Sequence, residues 1–225
     1  MTDTERHNKE ILARYLPQSA VEPIFDFLNA NQVHFHITRQ RASKLGDYRM
    51  PQLRHPYHEI SVNGDLTPHM FLLVLLHEMA HLNTYLRYQR SVQPHGHEWQ
   101  QQYRDLLVSY FNAGHFPEET RALFAKYTSR IPLNRAAGTE LEQRLREIDN
   151  PEAVKSALKL KELADGTCFI LNNGQKMVLR IQEKLRTRYK CKEVFTGRLY
   201  SVSGNADVTV VPEELLSNVK ELFKL

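Results

Sequence analysis

The chain has 225 residues, 41 % of them hydrophobic and 25 % charged, with a net charge of +4, which is enough apolar content for a buried core. No apolar run approaches the roughly 18 residues that cross a bilayer, and the opening Met-Thr-Asp-Thr-Glu-Arg-His is polar where a signal peptide needs an apolar stretch. The expectation is therefore a cytoplasmic protein, and Cys168 and Cys191 are too few for a disulfide framework.

Taken in chain order, Ile11, Leu12, Tyr15 and Leu16 form one apolar helical stripe, and Ser19 is placed to cap a second helix that buries Val21, Ile24, Phe25 and Leu28. Val33, Phe35 and Ile37 alternate with His34, His36 and Thr38, the period of a strand. Segments 48–53 and 59–62 supply further short strands. Thr67-Pro68 marks the start of a helix that is nearly all apolar from Met70 to Leu76, which implies burial. A polar loop from Arg87 to Pro94 precedes a helix marked by Trp99, Tyr103, Leu106, Leu107 and Tyr110. Pro117 opens another helix. The apolar pattern lapses between Ile131 and Glu140, where a linker is expected. Beyond it the period changes: segments 169–171 and 177–181 flank Asn172-Asn-Gly174 as a hairpin. Strands over 189–195, 198–202 and 208–211 follow, and Pro212 begins a terminal helix through Leu215, Leu216, Val219 and Leu222.

Chemistry concentrates in Leu73-Val-Leu-Leu-His77-Glu78-Met-Ala-His81-Leu. Residues turn by about 100° each on a helix, so His77 and His81 share a face about a turn apart and can share an ion, with Glu78 beside them as a general base. A buried helix carrying these groups needs a polar object for them to meet, and a metal answers that need. Downstream, His95-Gly-His-Glu-Trp99 offers three candidates for a third ligand: His95, His97 and Glu98. The metzincin pattern fails, because Thr84 and Arg87 stand where it needs Gly and His. Gly96 gives its neighbour His95 a loop free to turn toward an ion, which favours His95. Glu98 then suits the first turn of a helix, facing its dipole. Tyr48 and Arg49 are placed to border a substrate cleft.

These residues resemble the SprT-like zinc metalloproteases, which pair an HExxH helix with a downstream H-G-x-E-[WF] motif. Ser43-Lys-Leu-Gly-Asp-Tyr-Arg49 and Ile60-Ser-Val-Asn63 are similar to the two strands before that family's active-site helix, so the resemblance spans about residues 8 to 130. It implies a zincin-like helical metalloprotease domain with a small β-sheet over residues 1–133; with the linker or helical connector over 134–165 and the small basic β-rich domain with a terminal helix over 166–225 that the residue pattern gives, the expected fold is α+β. The resemblance also implies one Zn²⁺ held by His77, His81 and His95, Glu78 as catalytic base, and a protein substrate. In the Spartan-type branch such domains cleave proteins crosslinked to DNA, which adds DNA, single-stranded or crosslinked, as a partner and the nucleoid as a place of action.

The C-terminal part departs from that family, since single cysteines stand where a zinc ribbon needs pairs of C-x-x-C. Charge is its signal instead. Up to residue 150, 17 Lys+Arg balance 17 Asp+Glu, whereas 13 face 9 beyond it. Lys176, Arg180, Lys184, Arg186, Arg188, Lys190, Lys192 and Arg198, interleaved with Tyr189, Phe195 and Tyr200, read as a nucleic-acid surface of phosphate-binding cations and stacking aromatics. The competing function is a nucleic-acid-binding or transcription-associated module whose zinc only stabilises the fold. The intact Glu78 weighs against it, because a structural site needs no base.

Overall fold

A computed structural model describes residues 2–41, 44–151, 158–172 and 177–216. The chain divides into two compact units, Met1–Pro151 and Glu152–Leu225. No helix among the described residues is long and apolar enough to cross a membrane.

The N-terminal unit opens with α1 (Asp3–Leu12), whose Thr2 and Glu5 form a reciprocal capping box. Tyr15 and Leu16 lie beyond its end. Its partner α2 (Val21–Ala30) buries Val21, Ile24, Phe25 and Leu28 as expected. Ser19 does not cap it; a 3-10 turn over Gln18–Ala20 feeds straight into the helix, and no side chain caps Ala20. Three short strands follow: β1 (His34–Thr38), β2 (Gly46–Arg49) and β3 (Glu59–Asn63). They form a sheet in the order β1-β3-β2, β1 parallel and β2 antiparallel to β3, so β2 is an edge. Its bounds differ from the expected 48–53, because residues 50 to 55 leave the sheet in a turn closed by a Gln52–His55 bridge.

The helix α3 (Pro68–Tyr88) is the centre of the unit. Met70, Phe71, Leu72, Leu75, Leu76, Met79, Ala80 and Leu82 are at most 1 % exposed and lie on every side of it. It runs on through Arg87, which the sequence pattern assigns to a loop. Thr67 is the N-cap residue, yet its side chain makes no capping bond. The His69 backbone N–H instead donates to the Asp149 carboxylate at 2.9 Å, and the His69 ring bonds the same group. An acidic group at a helix start satisfies free N–H donors and favours the dipole.

Around α3 pack α4 (His97–Asn112), α5 (Arg121–Thr128) and α6 (Arg135–Asp149). The last of these lies in the stretch expected as a connector. Its Ala137, Leu141 and Leu145 are fully buried, Leu141 and Leu145 in the same core as α3, and the unit extends to Pro151 rather than ending at 133. Charged residues dominate its outer face, which is why its inner apolar stripe is inconspicuous in the sequence.

The C-terminal unit is a six-stranded sheet ordered β4-β9-β5-β6-β7-β8. Its strands are β4 (Leu158–Lys159), β5 (Cys168–Leu171), β6 (Val178–Lys184), β7 (Arg188–Glu193), β8 (Leu199–Ser203) and β9 (Asp207–Val210). The expected pairing of β5 with β6 is antiparallel, with Phe169 opposite Leu179. The Asn173-Gly174 turn and Lys176 lie outside the described residues, as do Ser43, Val219 and Leu222; the described part of the expected terminal helix is a 3-10 turn over Glu213–Leu215. Phe169, Leu179, Ile181, Tyr189 and Cys191 form the core of this unit, and both cysteines are free and buried.

Candidate metal centre

Two elements bring the imidazoles together. His77 and His81 project from one face of α3, and His95 reaches them from the loop before α4. The His95 Nε2 lies 3.1 Å from the His77 Nε2 and 3.0 Å from the His81 Nε2. The three ligand atoms fall within 4.8 Å of one another, and among the described residues this is the group of His, Cys, Asp and Glu side chains so arranged. A tetrahedral ion with ligand nitrogens at about 2.1 Å holds them about 3.4 Å apart. The two separations from His95 fall within a few tenths of an ångström of that value, and the triad can hold a metal. Of the other two candidate ligands, His97 is exposed and Glu98 sits in the first turn of α4; neither joins the group.

The loop carries His95 inward in a way that differs from the expectation. His95 itself adopts the left-handed conformation, φ +55°, whereas Gly96 has φ −67°. Glycine is needed at 96 for space: a Cβ there would lie 2.9 Å from the Gln93 carbonyl oxygen. Gln100 fixes the turn, its side-chain amide donating to the His95 carbonyl at 3.1 Å and accepting from the Leu133 N–H at 2.9 Å. Trp99 packs its ring against all three imidazoles, at centroid separations of 4.6 Å to His77, 5.1 Å to His81 and 4.6 Å to His95. Tyr48 of β2 lies parallel to His81 at 6.2 Å, and its hydroxyl bonds His58 Nδ1 at 3.0 Å. Arg49 turns away to Asp47 and Glu59.

Burial sets the protonation states. Desolvation, then the neighbouring His81 and His95 rings, push His77 down to about 3. Desolvation and His95 take His81 down to about 4, and desolvation lowers His95. All three rings are thus neutral donors at physiological pH. Glu78 is only 6 % exposed. Its burial, reinforced by the Asp47 carboxylate, raises it to about 7, against the pull of Arg41, Lys44 and the Tyr48 backbone N–H. A carboxylate poised near neutrality is suited to accept and return a proton.

These shifts predict how the metal-free chain responds to acid. Unfolded histidines take up protons near 6.5, but folded His77 and His81 resist until about 3 and 4. Between pH 6.5 and 4.5 the unfolded state binds more protons at these two sites, so stability falls as pH falls. Glu78, raised in the folded state, acts in the opposite sense between about 4.5 and 7 but is outnumbered. Thermal melts of the metal-stripped chain should show a lower midpoint at pH 4.5 than at 6.5. A pH dependence kept in full by the His77→Gln/His81→Gln double variant would contradict this origin.

Three residues escape notice in the sequence. Gly46 lies so close to Glu78 that a Cβ would be 2.4 Å from its Oε1. Trp99 reads as a core residue of its helix and the end of the H-G-x-E-[WF] motif, with no sign of its contact to the imidazoles, and Gln100 carries no recognisable signal. The basic segment is narrower than expected. Arg188, Lys190 and Lys192 alternate outward on β7 with buried Tyr189, Cys191 and Glu193. Arg180 stands opposite Lys192 on that face but is held by Glu213 at 2.6 Å, and Glu183 stands opposite Lys190. Lys184 is in register with Tyr189, while Arg186 and Arg198 lie in the turns flanking β7. Of the expected stacking aromatics, Tyr189 is 4 % exposed, whereas Tyr200 and Phe195 are half-buried against the hydrophobic clusters of the unit.

A helix bearing two histidines and a buried carboxylate, closed by a third histidine and lying under an edge strand, is the frame of a metal-binding domain with its own base. Residues 13–122, just under half of the chain, match the SprT-like family, so the N-terminal unit is similar to that family of metalloprotease-type domains. No curated protein and no solved structure matches the chain.

Proposed function

We propose that the N-terminal unit is a zinc-dependent endopeptidase, with His77, His81 and His95 as ligands and Glu78 as general base. The observation that carries this reading is the convergence of three Nε2 atoms beside a desolvated carboxylate raised to about 7. Zinc bound there would act as a Lewis acid toward the peptide carbonyl and the attacking water. Glu78 takes the proton of that water and delivers it to the leaving amide nitrogen. The free edge of β2 offers backbone groups to an extended substrate, which adds to the sheet as a further strand. Burial raises the Tyr48 hydroxyl well above its ordinary range, so it remains a neutral donor at working pH.

The C-terminal unit is proposed to bring the enzyme to nucleic acid, so that its substrates are DNA-associated or DNA-crosslinked proteins. The row Arg188, Lys190 and Lys192 supports phosphate contact, and the inward Tyr189 leaves that strand face to its cations. Duplex binding should therefore be at least as tight as single-strand binding, with log Kd against log salt sloping by about 2.7 for three neutralised phosphates. The test combines zinc stoichiometry, cleavage of a DNA-binding protein with and without duplex DNA, and anisotropy titrations. Cleavage that ceases on chelation and returns with zinc is expected. Duplex affinity unchanged in Lys190→Glu/Lys192→Glu would refute the role of the strand face.

A further inference from the structure

A cavity of about 460 Å³ opens directly beside His77 and Glu78. Leu73, Val74, Tyr103 and Tyr127 give it apolar and aromatic sides, while Gly138 and Thr139 of α6 form its far wall. That wall is firmly seated, because a Cβ on Gly138 would lie 2.8 Å from the Tyr127 ring. Tyr127 and α6 both lie beyond residues 13–122, so this wall belongs to the chain rather than to the matched family segment. Of the charged groups that line it, Lys44 pairs with Asp47 at 2.8 Å and Glu142 with Arg146 at 3.4 Å, and Arg135 joins them at the start of α6. Met70, Leu73, Val74, Tyr103 and Tyr127 give an apolar occupant its contacts.

We propose that this cavity is a substrate side-chain pocket selecting a long apolar or aromatic residue immediately C-terminal to the cleaved bond. The inference rests on the endopeptidase reading and deepens it. β2 runs from Gly46 to Arg49, and its outer edge is free. A substrate strand pairing with it in the commoner antiparallel sense runs the opposite way. Residues after the cleaved bond then lie at the Gly46 end, and Gly46 and Glu78 both line the pocket. Filling an apolar pocket discriminates by about 10- to 200-fold for each methylene or so gained, so bulk at this position dominates the choice of cleavage site.

The probes are peptidyl hydroxamates that differ only in the side chain next to the chelating group: methyl, isobutyl or benzyl. Calorimetric titration of the zinc-loaded full chain should give at least tenfold tighter binding for isobutyl and benzyl than for methyl. Thr139 is exposed on α6 and lines the pocket, so Thr139→Phe should erase that advantage while leaving the methyl compound within about twofold. Equal affinity across the series, or an advantage unchanged in Thr139→Phe, overturns the pocket. Retained selectivity with no cleavage of any protein supports the pocket and overturns the endopeptidase reading alone. Failure of every hydroxamate to bind overturns both.

Discussion

Glu78→Gln should retain one zinc ion per chain and lose protein cleavage by about 10²- to 10⁴-fold, the range by which a positioned general base accelerates proton transfer. The amide occupies the same volume and keeps a carbonyl acceptor, so the packing of a 6 % exposed side chain is preserved. What disappears is the capacity to take a proton at near-neutral pH. The three imidazoles are untouched, and the folded chain should lose none of its metal. Thermal melting and metal analysis beside the cleavage assay separate this outcome from misfolding. Cleavage at the parent rate would show that Glu78 is not the base and would return attention to a module whose metal only supports the fold.

Gly46→Ala should have nearly as large an effect without removing any functional group. The added methyl would stand 2.4 Å from the Glu78 Oε1 and 2.8 Å from both its Cγ and the Val74 Cγ1. Glu78 is buried and cannot swing into solvent, so either its carboxylate shifts or β2 lifts away from α3. A displacement of about 1 Å at a reacting group is enough for a 10²-fold loss. The expected result is a fall of that size in kcat, with metal content unchanged and the melting midpoint lowered by a few degrees. Activity within twofold of the parent would mean that β2 is looser than its packing indicates.

The legibility of this protein in its sequence follows the range of the interactions. His77, Glu78 and His81 are readable because helical periodicity places them on adjacent positions of one local element. The Thr67-Pro68 signal locates the helix start for the same reason, although the group that caps it lies 80 residues away. The approach of His95 was foreseen through Gly96, yet the physical reason differs: the left-handed turn falls on His95, and Gly96 yields room to the Gln93 carbonyl. Gly46, Trp99 and Gln100 act through tertiary contacts that no local pattern encodes. The basic segment is legible as charge, but the fate of each aromatic in it is not. Alternation along β7 turns Tyr189 to the core while the cations face outward. Helix α6 was read as a connector because its buried stripe, Ala137, Leu141 and Leu145, is thin beside its charged face.

The Asp149 carboxylate at the start of α3 carries a consequence for where this domain ends. The recognisable family segment ends at residue 122, but the helix that bears its histidines is anchored by a group 27 positions further on. The matched segment and the cooperative unit therefore have different borders here. A fragment cut where the likeness stops would leave the first amides of the histidine helix to water and bare the surface that Leu141 and Leu145 cover. The histidine helix therefore holds its shape only inside a body larger than the matched segment.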